Sequence, residues 1–295
     1  MNKVYADYFP NDKPARVTVG VARLPFAASV EINAVAIRDL AMKKSVTRSP
    51  GAAAVPISEG IKTGDRLFLS GTLGRDRDTG AIPKAESDQV RISFIRAKDT
   101  LRLAGIDEAS LVSFTVYHTR AIKRDTIKKV WAKEFGSRIK GAISIVEVNE
   151  MALGAHIGVT GVAALKRAQA NFHGPCASVG ETLYCATEES ALGPADQQTR
   201  DTLNLLAARV ARAGFQMRDA SATQAYLDNI DDFDKLNAAY AAALSEPRPT
   251  RATIQPAPSA GRRFVQISLV VSQSGATPPA AAAPPIKRPR HLSPK

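Results

Sequence analysis

Several things are scarce in this sequence of 295 residues, and each scarcity removes a class of explanation. No run of about 18 apolar residues is present to span a bilayer. The first residues, MNKVYADYFPNDKPARVTV, carry charges and aromatic rings where a secretory signal needs an apolar stretch, so the expected location is the cytoplasm. Histidine occurs four times; His118 and His156 have no other imidazole at ligand spacing, and no metal or organic cofactor is assigned. Cysteine occurs twice, at Cys176 and Cys185. A two-residue turn at Gly180-Glu181 would set these two directly opposite across a hairpin, within reach of a disulfide, although in a reducing cytosol they are expected to remain thiols.

What is present is an ordinary globular composition, 44% hydrophobic and 23% charged, in a chain long enough for two domains. The net charge of +12 is uneven: residues 1–37 contribute +1, 38–140 contribute +9, 141–273 contribute −2 and 274–295 contribute +4. The basic middle block can steer RNA, phosphates or small anions toward one face, or simply be a solvated surface. The final stretch, SQSGATPPAAAAPPIKRPRHLSPK, has no aromatic residue and no apolar period, so a disordered tail is expected over 274–295, with KRPR at 287–290 as its basic element.

An internal repeat organises the rest. The segment from Gln89 to Gly105 returns from Gln198 to Gly214 with a period of 109. Each copy predicts a helix with an apolar stripe (Phe94, Ala97, Leu101; Leu203, Leu206, Val210) that stops at Ala-Gly. Strands at 111–119 and 220–228 and second helices at 127–135 and 233–244 follow, then two closing strands. Upstream hairpins at 55–72 and 174–187 complete the order β-β-α-β-α-β-β. Residues 1–37 match only the last third of this pattern: NKVYADYF as a helix end, then ARVTVGVARLP and SVEINAVAI as closing strands. A helix end and one hairpin cannot bury a core alone, so either residues upstream complete the fragment or it docks on a neighbouring copy.

LFLSGT at 67–72, the turn at Asp76, Thr79 and Gly80, AGI at 104–106, and above all KPARVTVGVARLP with VEINAVAI resemble the RidA family, also called YjgF or L-PSP. The resemblance implies an α/β (α+β) fold of tandem domains, each a β-sheet backed by two helices and arranged as a pseudo-trimer or part of one. The expected boundaries are a partial copy at 1–37, full copies at 45–165 and 166–273, and the tail at 274–295. It also implies hydrolysis of 2-aminoacrylate-type enamines and imines to 2-keto acids and ammonia, with a small imino or keto acid as partner, and self-association through trimer-like interfaces.

That chemistry needs a guanidinium fork for the substrate carboxylate and a group to direct water and pass protons. Matched position by position, the resemblance assigns Arg16 and Glu31, fifteen apart, as carboxylate clamp and catalytic acid/base in the first copy. In the second copy it assigns Ser70 as catalytic and Gly71 as substrate-binding, with Ile143 at the Arg position, Gly158 at the Glu position and Ile57 at the Tyr position. In the third it assigns Arg251 and Gln266 to substrate binding, with Cys185-Ala186 at Ser-Gly and Cys176 at Tyr. Two other readings stand beside the deaminase: a non-catalytic scaffold that binds small carboxylates, and an RNA-binding or endoribonuclease protein. Nucleic acid is the least favoured partner, because the basic block offers only Trp131 and Tyr117 beside its phenylalanines as a stacking platform.

Overall fold

A computed structural model describes residues 1–11, 13–48, 57–190, 193–258 and 264–273. The expected disordered tail at 274–295, with its KRPR element, lies outside these. In chain order the elements are α1 (Asn2–Tyr8), β1 (Val19–Gly20), β2 (Lys44–Val46), β3 (Gly60–Thr63), β4 (Arg66–Leu73), α2 (Glu86–Leu103), β5 (Leu111–His118), α3 (Arg124–Glu134), β6 (Ala142–Glu147), β7 (Glu150–Met151) and β8 (Ile157–Ala164). They continue with β9 (Ala170–Phe172), β10 (Cys176–Val179), β11 (Thr182–Ala186), α4 (Ala195–Arg212), β12 (Ala220–Leu227), α5 (Phe233–Ala243), β13 (Thr250–Ile254) and β14 (Val265–Ser272).

Two six-stranded sheets have the same topology: β2-β3-β4-β8-β5-β6, and β9-β10-β11-β14-β12-β13. In both, the last strand enters the middle of the sheet, antiparallel to its two neighbours, and the edge pairs β5–β6 and β12–β13 are parallel. The apolar stripes account for the helices. Val90, Phe94, Ala97 and Leu101 of α2 pack on Leu67, Leu69, Phe114 and Val159, while Leu203, Leu206 and Val210 of α4 pack on Leu183, Leu269 and Val271. Gly105 and Gly214, at φ +78° and +82°, end these helices in the left-handed conformation that favours glycine.

The other faces of the two sheets meet each other. Val112, Ala142 and Ala164 of the first pack with Ala177, Val179 and Ala186 of the second, small residues that let the sheets approach. A further apolar cluster joins Val146, Val148 and Met151 to Tyr226, Ile254 and Phe264, and the N-terminal segment closes it with Val19, Val21 and Leu24.

Three expectations are corrected here. Residues 16–37 do not form a closing strand pair: Val19–Gly20 pairs with Met151 and Glu150, and Arg23 makes an isolated bridge to Gln255. The reason is the topology itself, since the matching strands β8 and β14 each sit between two neighbours that the N-terminal segment has no counterpart for. Val30, Ile32 and Val35 are therefore unpaired and 59–75% exposed. Secondly, Cys176 and Cys185 are joined in a disulfide; they face each other in the β10–β11 register with Cα atoms 4.2 Å apart, the close approach of an opposed antiparallel pair. Thirdly, the hairpin registers move two assignments. Thr63 faces Arg66 and Val179 faces Thr182, so Leu69 rather than Ser70 corresponds to Cys185, the bulged Ser70-Gly71 together stand where Ala186 does, and Ile57 corresponds to His173 rather than Cys176. Ile143 and Gly158 do occupy the places of Arg251 and Gln266: they face Phe114 and Tyr117 where Arg251 and Gln266 face Thr223 and Tyr226.

Candidate functional site

Helical spacing puts Asn2 and Tyr5 on one face of α1, and the chain returns to that face at Arg16. The Arg16 guanidinium donates from Nη2 to Asn2 Oδ1 at 2.8 Å and lies 4.5 Å from the centre of the Tyr5 ring. Its Nη1 is buried with no hydrogen-bond partner. The Arg16 main chain is held by the first sheet: its N–H donates to Ser70 Oγ at 2.9 Å, and its carbonyl accepts from Gly71 N at 3.0 Å. A Cβ at Gly71 would stand 3.1 Å from Val17 Cγ2, so glycine lets the N-terminal segment lie against β4. Ser70 donates its own proton to the Ser58 carbonyl at 2.5 Å. Its hydroxyl is thus spent on holding backbone, and a proton-transfer role for Ser70 has no free proton to use.

The same arrangement recurs around Arg251. Its Nη2 donates to Asn237 Oδ1, and its guanidinium lies 4.5 Å from the Tyr240 ring centre and 5.4 Å from that of Phe233. Tyr240 is itself fixed by a 2.8 Å hydrogen bond to Thr223 Oγ1. The Asn-x-x-Tyr pair precedes the arginine by the same spacing in both places, fourteen residues from asparagine to arginine. Asn2, Tyr5, Asn237 and Tyr240 went unread in the sequence, although this shared spacing could have revealed them.

The structure does not bring Arg16 and Glu31 together. From Arg16 the segment crosses to the second sheet, where Ala22 N donates to the Gln255 carbonyl at 2.9 Å and Arg23 pairs with Asp231 at 2.8 Å. The Phe26 ring stands edge-on to Phe233, 5.6 Å between centres. Glu31 then accepts from Thr253 N through Oε1 at 3.3 Å, and its charged neighbour is Arg251. Fifteen residues of extended chain reach about 50 Å, so a fixed spacing along the chain does not impose adjacency. Partial desolvation is the main influence on both groups: it raises the carboxyl of Glu31, a largely exposed side chain, and lowers the half-buried Arg251 guanidinium, while each charge partly offsets the shift of the other. Gln266 does not join this pair; its Nε2 donates to the Thr187 carbonyl at 2.9 Å.

Two clusters result. One sets Arg16 against Ser70 and Gly71, with Gly158 at the carboxylate position, and the other sets Glu31 near Arg251. Among the described residues, no group of three His, Cys, Asp or Glu is placed to hold a metal ion, and no helix is long and apolar enough to cross a membrane.

Comparison with known proteins bears on this geometry. The chain is 29% identical over 147 residues to the chloroplastic Reactive Intermediate Deaminase A of Arabidopsis thaliana, covering 49% of this chain and 75% of that one. It is 32% identical over 96 residues to the putative reactive intermediate deaminase TdcF of Escherichia coli K12, covering 32% and 74%. The crystal structure of E. coli TdcF with bound serine aligns at 27% identity and a TM-score of 0.38, covering 41% of this chain and 98% of that one. The family model described as Endoribonuclease L-PSP matches residues 1–38, 47–165 and 180–271, most of the chain, and the protein is a member of that family, with reactive intermediate deaminases among its relatives.

Proposed function

We propose that the protein hydrolyses 2-imino acids to 2-keto acids and ammonium, at the cluster where Glu31 lies near Arg251. Residues 1–37 then act as a partial third copy that supplies the carboxylate to a full one. The observation that carries this reading is a carboxylate from a distant segment, held on Thr253 N, within electrostatic reach of an aromatic-caged guanidinium. The names of the Arabidopsis and E. coli relatives support the same reaction class.

Arg251 takes the planar substrate carboxylate in its fork, with Asn237 and Tyr240 fixing the angle of approach. Ionised Glu31 accepts a proton from water as the water oxygen bonds to the iminium carbon, giving a carbinolamine. The protonated Glu31 then returns that proton to nitrogen, the C–N bond breaks with its electron pair leaving on nitrogen as ammonia, and Glu31 takes the remaining hydroxyl proton as the carbonyl forms and passes it to the ammonia. Iminium and water thereby become keto acid and ammonium. A carboxyl raised by partial desolvation is suited to both halves of this exchange.

A second reading has its own support: the Arg16 cluster offers a carboxylate clamp with no acid/base group and with the Ser70 hydroxyl consumed, which suits binding without turnover. The test generates 2-iminopropionate from alanine with an amino acid oxidase and follows its loss. Arg251→Ala and Glu31→Gln should each slow the reaction about thirtyfold to a thousandfold, the loss of about 2 to 4 kcal/mol of charged contact, and Arg16→Ala should do less. Equal acceleration by all variants would remove both arginines from the mechanism. No acceleration by folded wild-type protein across several imino acids would leave the binding reading in place.

A further inference from the structure

We propose that four arginines at one end of the first sheet form a binding site for a small phosphate dianion, separate from both clusters above. Arg48 follows β2, Arg75 and Arg77 lie in the loop between β4 and α2, and Arg96 projects from α2. Two of them meet at one carboxylate: Arg77 Nη1 is 2.5 Å from Glu59 Oε1, and Arg48 Nε is 3.7 Å from Glu59 Oε2. Arg48 also pairs with Asp99 at 2.9 Å, and Asp99 is shared with Arg102 at 3.2 Å.

The other two arginines are held differently. Arg96 Nη1 donates to the carbonyls of Leu73 and Arg75, both at 3.2 Å, and Arg75 Nε donates to the Gly80 carbonyl at 3.1 Å. Carbonyl groups orient a guanidinium without cancelling its charge. Asp76, whose charge is coupled to that of Arg96, accepts through Oδ1 from the amides of Asp78 and Thr79 and from the Thr79 hydroxyl. Arg48, Arg75, Arg77, Arg96 and Arg102 therefore face Glu59, Asp76 and Asp99 with two positive charges in excess. Arg96 Nε is buried without a hydrogen-bond partner. Burial first, and then the charges of Arg77, Arg75 and Arg48, weaken the hold of Arg96 on its proton, and Glu59 offsets this only in part.

The shared fold does not require this cluster. At the corresponding places in the second half stand Pro175 for Glu59, Leu205 for Arg96 and Ala208 for Asp99, and the strand-to-helix loop is four residues shorter, 187–194 against 74–85. The first half thus adds charges and the loop that carries two of them. Converging guanidinium forks match the tetrahedral oxygens of a phosphate, and a charge of about −2 matches the excess.

The test titrates inorganic phosphate into the intact protein, against sodium chloride at equal ionic strength, and reads the thermal midpoint and the 31P line width. Phosphate should raise the midpoint and broaden the line saturably. Arg75→Gln and Arg96→Leu, the latter installing the residue found in the second half, should each raise the half-saturating concentration about tenfold or more. Should Arg96→Leu fail to fold, Arg75→Gln decides alone, because its side chain lies in a loop. Absence of any phosphate-specific effect, or the same effect in the variants, overturns the proposal. So does arginine-dependent binding of a short oligouridylate without binding of phosphate, which would make the site one for RNA.

Discussion

The joint between the two sheets includes a polar contact inside an apolar cluster, and this makes it open to a sharp test. Tyr117 and Tyr226 occupy corresponding positions in β5 and β12 and meet hydroxyl to hydroxyl at 3.1 Å. Around them lie Val146, Met151, Ile254 and Phe264, and burial raises the pKa of both phenols. Tyr226→Phe leaves the Tyr117 hydroxyl buried without a partner, which costs about 1 to 3 kcal/mol, whereas Tyr117→Phe with Tyr226→Phe removes both polar groups and keeps the rings. At a central value of about 2 kcal/mol, each single variant should lose about 4 to 8 °C in the midpoint of a chain this size. The double variant should fall within about 0.5 kcal/mol of wild type. Urea and thermal unfolding followed by circular dichroism supply the double-mutant cycle. Singles with no effect would mean that water satisfies the pair. A double variant costing the sum of the singles would mean that the hydroxyls do not depend on each other.

Three further predictions follow from individual groups. Partial desolvation raises the Glu31 carboxyl above its ordinary 4.5, so ionising it costs stability, a penalty absent below that pH and complete above the raised folded value. Glu31→Gln should therefore gain on wild type as pH rises through that window, and a gap independent of pH would refute this. His118, 1% exposed and lowered below 6.5 chiefly by burial, is neutral in the fold and protonates first in the unfolded chain. Stability present above pH 6.5 should fall as pH drops toward the folded value, and His118→Asn should flatten that slope in urea titrations. Reducing the Cys176–Cys185 bond, which closes a loop of sequence separation nine, should cost about 2 to 3 kcal/mol by chain entropy, read as a lower urea midpoint with reductant; an unchanged midpoint would count against it.

Much of the architecture could be read from local pattern, because a helix or strand declares itself through the periodicity of its own residues. The apolar stripes at Phe94, Ala97 and Leu101 and at Leu203, Leu206 and Val210 became α2 and α4, and the period of 109 became two sheets of one topology. The opposed cysteines also followed from turn length, while their bond did not, since it was judged from the redox setting rather than from the 4.2 Å approach.

The alternation in SVEINAVAI, by contrast, was real but formed no strand, because a central strand needs a hydrogen-bonding neighbour on each side and that requirement is not written in the segment itself. The same limit governed the site. Arg16 and Glu31 share a chain segment, and sequence spacing grouped them. The tertiary fold instead tied the Arg16 main chain to Ser70 and Gly71 of one sheet and carried Glu31 to Arg251 of the other. Residue type fixed which groups could clamp a carboxylate or move a proton, and only the docking of the segment across both sheets decided which of them meet.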